Sequence, residues 1–244
     1  MKYLEENHQL PPFNIPADGV YPDYLWEPYK STILRSPKEN IIKMSHPTVS
    51  EMTGPQFNNS GLTILDDLTK GGKGEPLGER IIVHGKVLDE NNKPISHTLI
   101  EIWQANAAGR YLHKNDQHNA PLDPNFKGLG RIFTDINGHY SFTTIKPGAY
   151  PWGNHENAWR PQHIHFSLFG PAFSTRLVTQ MYFPGDPLLD IDPIYNSIRD
   201  ENARARMISR LDMDVTVPFQ ALAYEFNFVL RGRNQTFFED EHNH

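Results

Sequence analysis

The chain has 244 residues, a formal net charge of -6 at pH 7 and no cysteine. The lack of cysteine excludes disulfides, thiolate metal sites and a cysteine nucleophile, so any metal must be bound by His, Tyr, Asp or Glu. No cluster of Lys and Arg stands out, which argues against nucleic acid as a partner. The sequence contains no run of 18 apolar residues and no apolar segment near Met1, so we expect a cytoplasmic protein without a membrane partner.

Residues 1–79 are predicted to form an extended arm. Prolines, each of which fixes φ and removes a backbone donor, recur too often for a helical bundle: Pro11, Pro12, Pro16, Pro22, Pro28 and Pro37. One short helix is predicted at 48–51, where Thr48 and Glu51 have the spacing of a capping box. The aromatic residues at 21–29 indicate that the arm packs on the core of this chain or on another subunit.

Residues 80–244 are predicted to form a β-domain with a C-terminal tail. Strands are expected at 81–88, 98–105, 131–134, 139–144, 163–169, 176–183 and 221–230, with a helical interruption within 193–208. Asn137-Gly138 is typical of a β-hairpin turn, which would join the strands at 131–134 and 139–144. Many short strands with few helices favour an all-β fold, an antiparallel β-sandwich.

His163 and His165 lie two apart in the predicted strand at 163–169. Because side chains alternate along a strand, both imidazoles leave the same face, with Cα atoms roughly 6.5 Å apart. Two neutral imidazoles that converge on one point suit Zn, Cu or Fe. Alone, the pattern is weak, since a histidine in an aromatic strand is more often packed or hydrogen-bonded than metal-bound. Tyrosines beside such a pair favour a strongly Lewis-acidic ion, because only such an ion holds a phenol as phenolate at neutral pH.

Three motifs make the pattern specific. They are Gly109-Arg110-Tyr111, Pro147-Gly148-Ala149-Tyr150-Pro151-Trp152 and Trp159-Arg160-Pro161-Gln162-His163-Ile164-His165-Phe166. With these motifs in this order, nearly the whole chain resembles the intradiol ring-cleaving dioxygenases. Within that family it is most similar to the iron-bearing β subunits of the members that cleave protocatechuate.

The resemblance implies one non-haem Fe(III) per chain and a defined set of site residues. The four iron ligands would be Tyr111, Tyr150, His163 and His165. Tyr150 and Arg160 would also be catalytic, Tyr150 by accepting a proton and Arg160 by supplying fixed positive charge. The substrate would be bound by Tyr29, Trp152, Arg160, Gln180 and Ile194.

The resemblance also implies the reaction and the partner. The catalytic domain at 80–244 would use O2 to open the ring of protocatechuate between its two hydroxyl-bearing carbons, giving 3-carboxy-cis,cis-muconate. It would do so in a hetero-oligomer with a homologous α subunit, on which the arm at 1–79 packs.

Simpler interpretations apply to other residues, and two alternative functions stay open. Tyr140, Tyr182 and Tyr224 alternate with apolar neighbours and are expected in the sandwich core or on a strand face, and Trp103 is expected to pack near the site. One alternative is an intradiol enzyme for catechol or hydroxyquinol, although the proline-rich arm cannot supply the helical dimerisation region of those relatives. The other is an iron-free, transthyretin-like binding sandwich, against which the four-ligand set weighs.

Overall fold

In the computed structural model of the protein, residues 17–39, 63–169 and 177–230 are described, and all that follows concerns these ranges. The predicted helix at 48–51 lies outside them. Two short α-helices and eleven strands are formed within them: α1 (Ser31–Arg35), β1 (Arg80–Leu88), β2 (Leu99–Trp103), β3 (Leu129–Phe133), β4 (His139–Ile145), β5 (Tyr150–Pro151), β6 (Trp159–Arg160), β7 (His163–Phe169), β8 (Leu177–Tyr182), α2 (Glu201–Ala205), β9 (Arg210–Val217), β10 (Ala221–Glu225) and β11 (Phe228–Val229). Short 3₁₀ helices lie at Leu68–Lys70, Pro187–Ile191 and Tyr195–Ser197. No helix in the described ranges is long and apolar enough to cross a membrane.

The strands form two main sheets and one small ribbon. The first sheet contains β1, β4, β9, β10 and β11, and the second has the order β3-β2-β7-β8. The second sheet is antiparallel throughout, whereas β1 pairs antiparallel with β4 and parallel with both β10 and β11. The predicted all-β sandwich is confirmed, and its first sheet is mixed rather than purely antiparallel.

Aromatic and β-branched side chains from both sheets meet in the main core. Phe142 of β4 and Phe166 of β7 pack with ring centroids 6.0 Å apart, and Tyr140 packs on Phe166 at 6.4 Å. Tyr224 of β10 belongs to the same buried cluster, as the alternation at 222–228 predicts. The interpretation of Tyr140 and Tyr224 as core residues is therefore confirmed.

The hairpin predicted at Asn137-Gly138 is wrong. β3 pairs with β2 and β4 pairs with β1, so the turn carries the chain from one sheet to the other. The local turn chemistry is nevertheless present, since the Asp135 carboxylate accepts from the backbone N–H groups of Asn137 and His139, both at 2.8 Å. The carbonyl of Gly138 accepts a hydrogen bond from Val87 of β1 at 2.9 Å. That contact draws β4 into the first sheet.

A second hydrophobic cluster lies on the outer face of the second sheet. On β8, Met181 points into the main core, so Tyr182 must point to the opposite side. The helical interruption predicted within 193–208 is confirmed as the 3₁₀ helix Tyr195–Ser197 and α2. This segment and the preceding 3₁₀ helix Pro187–Ile191 pack on Tyr182 with the apolar residues Leu189, Ile194, Ile198, Ala203 and Met207. Val20 of the arm joins this cluster, so at least part of the segment at 17–39 packs on the β-sandwich and its helical connection.

Candidate active site

The two histidines of the predicted chelate lie on the outer face of β7. Ile164 and Phe166 enter the main core, so His163 and His165 leave the opposite face, as the alternation predicts. Pairing with β8 places His163 opposite Tyr182 and His165 opposite Gln180. Both imidazoles are buried, at 2% and 3% exposure.

The histidine rings converge through their Nε2 atoms, which are 3.1 Å apart. Nδ1 of His163 lies 2.6 Å from the carbonyl oxygen of Pro161, so Nδ1–H donates to this carbonyl and the lone pair is left on Nε2. Burial, followed by the nearby charges of Arg160 and His165, holds the pKa of His163 well below its ordinary value. The imidazole is therefore neutral at pH 7, as a metal ligand must be.

Tyr150 and Tyr111 complete the group of four predicted ligands. The ribbon of β5 and β6 pairs Tyr150 with Arg160, and the Tyr150 hydroxyl oxygen lies 3.3 Å from Nε2 of His163. The Tyr111 ring packs edge-on against Tyr150 with centroids 5.4 Å apart and lies 6.4 Å from the His165 ring. Trp103 stacks on His165 at 4.9 Å, the packing role predicted for it.

A close backbone contact brings the two tyrosine-bearing loops together. Gly109 has φ +76, and a Cβ on it would lie 2.1 Å from the carbonyl oxygen of Ala149, the residue before Tyr150. The backbone N–H of Tyr111 donates to the Asp116 carboxylate at 2.7 Å, which fixes the start of this segment. A side chain at position 109 would therefore drive Tyr111 and Tyr150 apart.

The donor set fits a ferric ion. The Nε2 atoms of His163 and His165, 3.1 Å apart, have the spacing of adjacent ligands on one ion with bonds of about 2.1 Å. No group of three or more His, Cys, Asp or Glu side chains suited to a metal occurs in the described ranges, so a metal here depends on phenol oxygens. Phenolate oxygens select a hard, highly charged cation, which is the chemistry of Fe(III).

The predicted substrate residues continue outward from the histidines. Tyr29 packs on Trp152 with centroids 5.5 Å apart, and the guanidinium carbon of Arg160 lies 5.3 Å from the centroid of Trp152. Gln180 is fully buried, and its Oε1 accepts a hydrogen bond from Arg160. Ile194 packs in the second cluster against Tyr182, with Tyr29 and Trp152 at its edge. All five predicted residues thus form one continuous set of contacts.

Three residues of this region make polar contacts that the sequence did not predict. Asp192 is fully buried and forms an ion pair with Arg160, 3.3 Å from Oδ1 to Nε. Tyr182 is buried as predicted, yet its hydroxyl joins the same polar network by accepting from Arg160 at 3.2 Å. Asn154 holds the arm in place: its Oδ1 accepts from Lys30 N at 2.9 Å and its Nδ2 donates to Pro28 O at 2.8 Å. No local sequence signal marks these contacts, which join residues far apart in the chain.

Comparison with known proteins decides the family. The family model described as "Dioxygenase" matches residues 52–232, and the one described as "Protocatechuate 3,4-dioxygenase beta subunit N terminal" matches residues 16–46. Over 219 residues the chain is 58% identical to the protocatechuate 3,4-dioxygenase beta chain of Burkholderia cepacia, covering 88% of this chain and 92% of that protein. The chain belongs to the intradiol dioxygenase family.

Other intradiol dioxygenases share less sequence but the same fold. The protocatechuate 3,4-dioxygenase alpha chain of Pseudomonas putida is 30% identical, covering 69% of this chain and 79% of that one. Catechol 1,2-dioxygenase from Pseudomonas arvilla C-1 has a TM-score of 0.52 at 26% identity, covering 68% of this chain and 56% of that one. For 3-chlorocatechol 1,2-dioxygenase from Rhodococcus opacus 1CP the TM-score is 0.55 at 23% identity, with 86% and 79% covered.

Membership of the intradiol dioxygenase family confirms the resemblance on which the sequence analysis relied. Membership of this family does not favour the alternative of an iron-free, transthyretin-like binding sandwich. Enzymes of this family use non-haem iron. The names of the related alpha and beta chains imply an assembly of two kinds of subunit.

Proposed function

We propose that this chain is the iron-bearing β subunit of a protocatechuate 3,4-dioxygenase. It would cleave 3,4-dihydroxybenzoate with O2 between the two hydroxyl-bearing carbons to give 3-carboxy-cis,cis-muconate. One observation carries the proposal: the Nε2 atoms of His163 and His165 and the Tyr150 hydroxyl converge in a chain 58% identical to a protocatechuate 3,4-dioxygenase beta chain.

The four ligands of the ferric ion would be Tyr111, Tyr150, His163 and His165. When bound, the iron supplies a Lewis acid that draws electron density from the catechol ring and makes it reactive toward O2. Tyr150, held as a phenolate when the cation is bound, would accept a proton from a catechol hydroxyl and become a neutral phenol, which keeps the charge of the site balanced as the diol binds. A bound cation lowers the pKa of a phenol from its free value near 10, so the Tyr150 oxygen would be deprotonated at neutral pH and able to take up this proton.

Arg160 and the aromatic residues act on the substrate itself. The buried guanidinium of Arg160 provides a fixed positive charge beside the ring, which stabilises negative charge that develops there. Trp152 and Tyr29 pack against each other beside this guanidinium and bind the ring and its substituent, while Gln180 and Ile194 close the pocket. The guanidinium carbon of Arg35 lies 4.9 Å from the ring centroid of Tyr29. A cation there favours protocatechuate, which carries a carboxylate, over catechol or hydroxyquinol, which do not.

The test of substrate and metal is an anaerobic titration of the iron-loaded protein, co-expressed with an α subunit. Protocatechuate should change the broad visible band of tyrosinate bound to Fe(III), and admission of O2 should yield 3-carboxy-cis,cis-muconate. Catechol and hydroxyquinol serve as comparison substrates under the same conditions. A larger kcat/KM for either of them, or a colourless and fully active protein, would refute the proposal.

The partner in the proposal is a homologous α subunit. The arm and α1 expose large apolar side chains, with Tyr24 58%, Ile33 48% and Leu34 87% exposed. A patch of this kind on an isolated chain promotes non-specific association, so the chain expressed alone should aggregate or show little activity. Co-expression with the α subunit should restore a coloured assembly of defined size. If the isolated chain purifies as a monomer with full protocatechuate-cleaving activity, the subunit assignment is wrong.

A further inference from the structure

Asp192 is a buried carboxylate whose two oxygens both have partners. Oδ1 lies 3.3 Å from Nε of Arg160 and accepts from the backbone N–H of Ile194 at 3.1 Å. Oδ2 accepts from Nη2 of Arg160 at 3.4 Å and lies 3.3 Å from the hydroxyl of Tyr182. The carbonyl of Asp192 accepts from the backbone N–H of Asn196 at 3.0 Å and from its side chain at 2.9 Å. Asp192 is therefore fixed by contacts of both its side-chain carboxylate and its backbone carbonyl.

Arg160 needs such a partner because its guanidinium is almost completely removed from water. Its side chain is 4% exposed and that of Asp192 is 0% exposed. A buried guanidinium without a counter-charge is strongly unfavourable, and one paired through two of its nitrogens is fixed in both position and plane. Asp192 contacts the Nε and Nη2 side of the Arg160 guanidinium, and this guanidinium also packs on the ring of Trp152. Its orientation beside the substrate ring therefore depends on Asp192.

We propose that Asp192 is the positioning residue for Arg160: its carboxylate fixes the guanidinium beside the substrate and ties it to the backbone N–H of Ile194. This inference rests on the proposed function, since it concerns the same reaction. Asp192 touches Arg160 rather than the reacting atoms, so it would act on turnover only through Arg160.

The perturbation that tests this is Asp192→Asn, which keeps the shape of the side chain and one acceptor oxygen but removes the charge. Iron content and the protocatechuate dissociation constant from anaerobic titration should change little. The value of kcat should fall about 10-fold or more, a scale typical of groups that orient a functional side chain. The fall should appear in kcat more than in KM, because the fixed charge matters most when negative charge develops on the ring.

A double-mutant cycle separates positioning of Arg160 from a general structural role. It compares the wild type, Asp192→Asn, Arg160→Met and the variant with both changes, all as co-expressed, iron-loaded assemblies. In the Arg160→Met background, Asp192→Asn should cause no further loss of kcat, since the group it positions is gone. The double variant should also unfold at a higher temperature than Arg160→Met alone, because it no longer buries an unpaired carboxylate.

The matched control is Asp200→Asn in the same two backgrounds. Asp200 lies in the same connection and caps α2 by accepting from the backbone N–H of Ala203 at 2.7 Å, a task that asparagine also performs. Its effect on kcat should be small and the same with and without Arg160. If Asp192→Asn lowers kcat by equal factors in both backgrounds, or leaves wild-type kcat unchanged, the inference is wrong while the proposed function stands. A wild-type assembly that does not cleave protocatechuate would refute the proposed function, and this inference with it.

Discussion

A side chain at position 109 should destabilise the protein and disrupt the iron site together. In Gly109→Ala the new Cβ would meet the carbonyl oxygen of Ala149 at 2.1 Å, and the residue would stay at φ +76. The left-handed backbone costs an alanine about 1–2 kcal/mol. Relief of the contact, by analogy with overpacked sites, costs about 1–3 kcal/mol more. We therefore expect a loss of about 2–5 kcal/mol in the free energy of unfolding.

Two other glycines separate these contributions. Gly185 has φ +77, but among the described residues no heavy atom lies within 4 Å of a Cβ built there, so Gly185→Ala tests the backbone conformation alone. Gly153 has neither a positive φ nor, in the same ranges, a neighbour within 4 Å of such a Cβ. Gly153→Ala should be neutral or stabilising by up to about 1 kcal/mol, because alanine has less freedom in the unfolded chain.

Thermal unfolding of the three variants, with iron content measured in parallel, checks this reasoning. At about 2–4 °C per kcal/mol for a chain of this size, Gly109→Ala should lower Tm by about 4–20 °C and Gly185→Ala by only a few degrees. Gly109→Ala should also lower iron content and weaken the visible band, since the displaced backbone belongs to the two tyrosine-bearing loops. Equal Tm values for Gly109→Ala and Gly185→Ala, with full iron content in both, would refute the role given to this contact.

Three further substitutions test other parts of the site. Arg160→Lys keeps the charge but loses the planar guanidinium, so iron content should be retained while turnover falls by about 10² or more; unchanged turnover would make Arg160 a structural ion-pair residue. Tyr111→Phe should shift or bleach the visible band and weaken iron retention, whereas Tyr224→Phe in the core should do neither. Asn154→Ala removes two hydrogen bonds to the segment that carries Tyr29, each worth about 1 kcal/mol, so KM for protocatechuate should rise by about 10-fold or more with a smaller change in kcat. If Asn154→Ala changes kcat alone, Asn154 has no role in substrate binding.

Features that depend on local alternation could be predicted from the sequence. The shared face of His163 and His165 follows from the period of a strand, which needs no knowledge of the rest of the fold. β9 was not predicted although it carries a comparable pattern, with apolar residues alternating with Asp212 and Asp214. Most side chains of β9 are exposed, so this strand lacks the buried apolar face that identifies a strand in a sequence. Only the structure shows that it pairs with β10.

Features that depend on distant partners could not be predicted. Asn137-Gly138 has the chemistry of a hairpin turn, but the pairing of β4 is decided by β1, about sixty residues earlier. Asp192 precedes a proline and is indistinguishable locally from a turn-forming aspartate, and only the fold places it beside Arg160. The contacts of Asn154 with Pro28 and Lys30 likewise join the arm to the pocket across more than a hundred residues. The sequence motifs predict the proposed ligands, whereas the partners of Arg160 and of the arm follow only from the tertiary structure.

The parallel pairing of β1 with β10 and β11 has a consequence for synthesis on the ribosome. Ile81 pairs with Leu222 and Val87 with Phe228, so the first strand of the domain stays without these neighbours until almost the whole chain has been made. The second sheet needs only residues 99–182 and can form earlier. Since the chain emerges from its N-terminal end at about 5–20 residues per second, β1 waits for several seconds with part of its edge open. The histidine-bearing sheet should therefore be assembled first, and closure of the sandwich by the C-terminal strands should be the late step at which a shortened chain fails to fold.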